Sequence, residues 1–171
     1  MCFKSKWNIK MTNLNQIFNE KVVVTNNPTI DEDITTNTIA LEGSEITYTP
    51  YENSDFVVYE YDFQLSFENA NSTNSFYIGG RMQEYNGSAW VDINNTAFTY
   101  YAEGDSAAIP VAYRMILDSW SGSKQIRLAA KAWTNINARG YRVHNAYYTT
   151  SIDASRKSQA VLTVYSIING D

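Results

Sequence analysis

The single histidine of this 171-residue chain, His144, stands in the stretch YRVHNAYY. Histidine acts as a general base only where a nucleophile and an orienting carboxylate meet it in space. Neither is offered at a recognisable spacing. There is no Gly-x-Ser-x-Gly elbow, and the one cysteine, Cys2, lies at the extreme N-terminus. A strand-surface or loop position is therefore expected for His144. Glu60 and Asp62 lie two apart on one face of an extended stretch, where two carboxylates could flank a glycosidic bond. The neighbouring sequence offers little to complete a cleft around them. Asp31, Glu32 and Asp33 form an oxygen-rich triplet that suits a hard cation, but they lack the spaced ligands and glycine of a calcium loop. A solvated turn is the simpler expectation. Asn71, Asn86 and Asn94 each open an Asn-x-Ser/Thr triplet, read here as loops in an asparagine-rich chain. The residue types thus point to no catalytic, metal or cofactor site, and an enzyme is not expected.

Aromatic and basic residues suggest binding instead. Trp90, Trp120 and Trp133 fall at strand ends or beside turns, where an exposed indole could stack on a sugar ring and a covered one would act as a lid on the core. At the N-terminus, Lys4, Lys6 and Lys10 accompany Phe3 and Trp7, and Leu14, Ile17 and Phe18 follow. Such a basic, aromatic arm could order itself on a larger acidic or apolar surface. Met11 offers a second possible start, which would leave the first ten residues as an additional arm. Arg156 and Lys157 read as a solvated turn. The net charge of −5 and scattered Lys and Arg argue against nucleic acid as a partner. No apolar run is long enough for a transmembrane helix, and no apolar core follows the basic opening as it would in a secretory signal.

The elements that would position these residues are strands. Tyrosine, threonine and asparagine are abundant while helix formers are sparse, a composition suited to pleated surfaces and the turns between them. NLNQIFNE is a short helical candidate, with Thr12 as its cap, or else an extended arm. From Lys21 the period is two. KVVV, a polar strand around Ile34 to Leu41, and SEITYTP ended by Pro50 precede the longest alternation, FVVYEYDFQLSF. There Val57, Tyr59, Tyr61, Phe63 and Leu65 share one face, and the other begins with Phe56 and Val58. SFYIGGRMQEY reads as a strand interrupted by a bulge at Gly79–Gly80. Asn86 to Ser88 signals a hairpin into AWVDI. VAYRMILDSW and KQIRLAAKAW read as hairpin partners, followed by YRVHNAYYTT. The final QAVLTVYSII, apolar on both faces, reads as a central buried strand. Strands at this spacing, without long helices, indicate an all-β, two-sheet antiparallel sandwich of jelly-roll type, with an N-terminal arm or short helix.

EGSEITYTP, DFVVYEYDFQLSF, YRMILDSWSG and the terminal QAVLTVYSI, in this order, resemble the jelly-roll heads of the C1q and tumour-necrosis-factor type. More narrowly, the order is similar to such domains in virion structural proteins of marine bacteriophages. The resemblance covers about residues 42–168 and divides the chain into an attachment segment, 1–40, and a head, 41–171. It implies a homotrimer located in the virion as a capsid decoration or head-fibre knob, without enzymatic activity. The major capsid protein or another virion protein would be its partner. The sheets containing Phe56, Val58, Tyr59, Tyr61, Phe63, Leu162, Val164 and Tyr165 would hold the protomers together, and Phe3, Trp7, Leu14, Ile17 and Phe18 would bind the shell. The alternative is a carbohydrate- or receptor-binding module such as a tail-fibre tip, with a host-surface glycan as its partner. Neither reading involves nucleic acid or a membrane.

Overall fold

The computed structural model describes residues 16–25, 33–34, 37–67, 75–103, 107–132, 141–144 and 159–168. Among them the backbone forms strands and no helix: β1 (Gln16–Thr25), β2 (Asp33–Ile34), β3 (Ile39–Ala40), β4 (Ile46–Tyr48), β5 (Phe56–Phe67), β6 (Ser75–Tyr85), β7 (Trp90–Asp92), β8 (Phe98–Glu103), β9 (Ala107–Asp118), β10 (Lys124–Ala132), β11 (Tyr141–Val143) and β12 (Ala160–Ile168). They make two antiparallel sheets. In the first, β12 lies between β1 and β5, and β9 runs along the other edge of β5. There β11 pairs with the end of β5 and with β2. In the second, β10 lies between β6 and the short strands β3 and β4, while β6 carries β7 and β8 on its far side. The main orders are β1-β12-β5-β9 and β4-β10-β6-β8. A chain that crosses repeatedly between two such sheets is a sandwich of jelly-roll type, as expected.

The period-two pattern of β5 decides which side faces in. Val57, Tyr59, Tyr61, Phe63 and Leu65 enter the core, where they meet Ile78 and Met82 of β6 and Ile126, Leu128, Ala130 and Ala132 of β10. A buried hydroxyl without a partner costs about 1–3 kcal/mol, and the core tyrosines avoid that cost by reaching across the sandwich. Tyr59 Oη donates to the Ser44 carbonyl at 2.5 Å, and Tyr61 Oη donates to that of Glu42. Tyr113 Oη donates to the Thr96 carbonyl at 2.8 Å. Tyr48 Oη shares a 2.7 Å hydrogen bond with Ser166 Oγ, which also accepts from the Tyr51 amide. Burial pushes the Tyr59 and Tyr113 hydroxyls upward in pKa, so both remain neutral donors. Aromatic bulk and interlayer hydrogen bonding therefore come from the same side chains.

Four local readings are settled by geometry. Over Gln16–Glu20 the backbone is extended, because it pairs with β12. A register shift at Asn19 and Glu20, with Asn19 at φ 50, makes a bulge there. The β6 ladder runs through Gly79 and Gly80 without a shift on either side, contrary to the bulge expected there. A Cβ at Gly80 would meet the Ala129 carbonyl and the Phe98 ring, so close packing is what requires that glycine. Strands β9 and β10 are not hairpin partners. The turn between them crosses from the first sheet to the second, so their apolar faces meet across the core. The hairpin at Asn86–Ser88 forms as read: Asn86 Oδ1 accepts from the Ser88 and Ala89 amides, and Gly87 takes φ 95.

Candidate functional site

The side of the first sheet that faces away from the core is built by the residues alternating with the core set. On β5 these are Phe56, Val58, Glu60 and Asp62, which stand beside Ile167, Tyr165, Thr163 and Val161 of β12 and beside Asp118, Ile116, Arg114 and Ala112 of β9. Strand β1 adds Ile17, Val22 and Val24, whose register partners are Ile167, Thr163 and Val161. Ile17 is 58% exposed, Val22 54%, Val24 46% and Ile116 57%. Aliphatic side chains thus open to solvent on one sheet surface, from β1 on one side and from β9 on the other. At its middle Arg114 Nε lies 2.8 Å from Glu60, and Arg114 Nη2 donates to Tyr165 Oη at 3.0 Å. Burial, then the neighbouring Glu60 carboxylate, pushes the Tyr165 hydroxyl up in pKa. Glu60 is thus engaged by a cation, while Asp62, its partner in the glycosidic reading, stands exposed on the same surface.

This geometry redistributes the residues first assigned to protomer contacts. Tyr59, Tyr61, Phe63, Leu162 and Val164 belong to the core cluster of one chain, because the opposite sheet of the same chain already covers them. Phe56, Val58 and Tyr165 lie on the outward surface; Val58 and Tyr165 are buried there by their neighbours, and Phe56 is half-buried. Of the exposed members, Ile17 was assigned to shell attachment, while Val22, Val24 and Ile116 were not singled out. The only sequence signal for them is KVVV and the second face of VAYRMILDSW. Of the attachment residues, Phe3, Trp7 and Leu14 lie outside the described residues. Ile17 and Phe18 belong to β1, and Phe18 stacks on Tyr51 at a centroid distance of 4.4 Å.

His144 is buried rather than on a surface. It follows β11 with φ 65, and its amide donates to the Gln64 carbonyl at 2.7 Å. Its Nε2 lies 3.0 Å from the Glu42 carbonyl, which can only accept, so the proton sits on Nε2. Nδ1 is left bare and has no hydrogen-bond partner. Burial pushes the His144 pKa down, opposed by its bond to Glu42. The side chain serves as a donor that ties the β3–β4 connection to the end of β11.

The outward side of the second sheet differs in chemistry. The Arg127 guanidinium lies 3.9 Å over the Trp90 ring, and Nε and Nη2 both donate to Gln83 Oε1. Gln83 Nε2 in turn donates to Asp92 Oδ1 at 2.9 Å, and Asp92 pairs with Arg81 at 3.2 Å. Trp90 is half-buried under that cation. Trp120 is also half-buried and meets Tyr48 edge-on at 6.2 Å. Asn86 and Asn94 are exposed at turns, whereas Asn71, Trp133, Arg156 and Lys157 lie outside the described residues, as do Asp31 and Glu32. Among the described residues no group of three or more His, Cys, Asp and Glu side chains could hold a metal ion. Compared with known proteins, the sequence matches no family model and no curated relative.

Proposed function

We propose that this chain is a non-enzymatic structural protein of a bacteriophage virion, a capsid decoration or head-fibre knob that assembles as a trimer. The observation that carries the association is the apolar outward surface of the first sheet, where Ile17, Val22, Val24 and Ile116 stand open around Val58 and Tyr165. A neighbouring copy would remove these side chains from water, each contributing about 25 cal/mol per Å² of apolar area covered. A closed cyclic assembly covers such a surface on every copy. Attachment to the shell falls to residues 1–15, with Phe3 and Trp7 among Lys4, Lys6 and Lys10. Ile17 and Phe18 belong to the head, because β1 is paired with β12 along its length.

The test has two parts. Light scattering on the soluble chain, intact and lacking residues 1–15, is expected to give three times the single-chain mass in both forms. Incorporation into particles is expected only for the intact form. A monomer in both forms would remove the association reading. Normal incorporation of the shortened chain would remove the attachment role of the N-terminal segment. The cut belongs before Gln16, since a deletion reaching residue 20 would also take away half of β1.

A further inference from the structure

A cleft of about 320 Å³ opens between the end of β9 and the second sheet, beside Trp120. Its apolar lining comes from both sheets and from their connections: Ile93, Met115, Leu117, Trp120 and Ile126. Polar groups join them from distant parts of the chain: Glu84 from β6, Asn94 from the β7–β8 turn, Asp118 from the end of β9 and Lys124 from the start of β10. Lys124 Nζ lies 2.7 Å from Glu84 and 5.5 Å from the centre of the Trp120 ring. Trp120 Nε1 is shielded from solvent and has no hydrogen-bond partner. What the cleft presents to a ligand is therefore indole and aliphatic surface ringed by polar side chains.

We infer that this cleft binds a terminal pyranose of a neutral glycan. A sugar ring presents a C–H face and a rim of hydroxyls that both donate and accept. The indole and aliphatic side chains match the first. The carboxylates, the amide and the ammonium supply acceptors and donors for the second. Two carboxylates against one ammonium oppose an anionic ligand such as a phosphate or an acidic sugar. The cleft rests on the two sheets of one chain, and its lining includes Ile116 and Asp118 of the outward surface. Native mass measured on the same samples keeps the two proposals separate.

The experiment titrates methyl glycosides of glucose, galactose, mannose and N-acetylglucosamine into the full ¹⁵N-labelled chain and follows the indole N–H signals of its four tryptophans. The expected result is a saturable shift of the Trp120 signal by at least one sugar, with an affinity on the order of millimolar. Trp120→Phe identifies that signal by its loss, and should weaken binding about five- to tenfold, read from the backbone amides of the β7–β8 turn. Asn94→Ala, at an exposed turn, retains the indole signal and should also weaken binding. The proposal is overturned if the Trp120 signal stays fixed for all four sugars. It is equally overturned if methylammonium or inorganic phosphate moves the signal while the sugars do not, or if sugars move only other indoles.

Discussion

The two outward surfaces of the sandwich each expose large apolar or aromatic residues, Ile17, Val22, Val24 and Ile116 on the first sheet and Tyr77, Tyr85, Val91 and Tyr101 on the second, but they differ in how their polar side chains are linked. On the second sheet, Arg127, Gln83, Asp92 and Arg81 form a continuous chain of hydrogen bonds and an ion pair, with Trp90 lying under the guanidinium. Long polar side chains there cover the sheet and leave their charged ends to water. On the first sheet Arg114 pairs with Glu60, and among the described residues Ile17, Val22, Val24 and Ile116 stand open on the same surface. The second surface is tied together by its own polar side chains, and the first leaves those four aliphatic residues open.

The sharpest way to break that contrast is to place a charge on each surface. Ile116→Glu would force a carboxylate into the proposed contact. It is expected to weaken association by more than about 100-fold, since an unpaired buried charge costs several kcal/mol. Tyr77→Glu, at an exposed position on the second sheet, is expected to leave the native mass unchanged. Analytical ultracentrifugation of both variants decides the matter, and equal behaviour of the two would erase the distinction. A smaller loss, of folding stability rather than association, is expected for Gly80→Ala. The new methyl would press on the Ala129 carbonyl and the Phe98 ring, at a cost of about 2–3 kcal/mol in urea unfolding. A neutral outcome would mean that β8 and β10 can yield to admit a methyl group beside Gly80.

Arg127→Ala comes next. It removes a guanidinium from Trp90 and two hydrogen bonds from Gln83, and should cost about 1 kcal/mol without altering native mass. If that change altered the oligomeric state, the second surface would have to be counted as a contact too.

How much of this was legible depends on the range over which each feature is decided. The alternation in FVVYEYDFQLSF and the turn at Asn86–Ser88 are local, and both elements form as their residues dictate. Alternation gives two faces but does not say which one turns inward. That is why Tyr59, Tyr61 and Phe63 could be taken for contacts when they are core. The hydroxyls of the two tyrosines gave no local clue, because the partners are carbonyls of Ser44 and Glu42, whose positions depend on the second sheet. The turn at residues 119–123 reads alike whether it closes a hairpin or crosses between sheets; only the pairing of β9 with β5 and of β10 with β6 separates the two. The Trp120 cleft draws on β6, β9, β10 and the β7–β8 turn, so spacing along the chain could mark the indole but not its surroundings.

The smallest effect separates the core from both surfaces. His144 donates through Nε2 to the Glu42 carbonyl near the Tyr61 hydroxyl, and burial holds its pKa below the ordinary value of about 6.5. Above that pH the imidazole is neutral in the folded and unfolded chain alike, and titration of this group makes no difference to stability. As the pH falls below about 6.5, the unfolded chain takes up the proton first, so folding stability declines until the native imidazole is protonated as well. His144 is the only histidine, and the decline in this window should therefore disappear in His144→Gln. The contact proposed for the first sheet is built instead on the aliphatic side chains of Ile17, Val22, Val24 and Ile116. Native mass should accordingly hold steady from pH 7.5 to about pH 6 while the urea midpoint falls. A mass that dropped in step with the midpoint would tie association to the buried histidine, and the outward surface alone would no longer account for it.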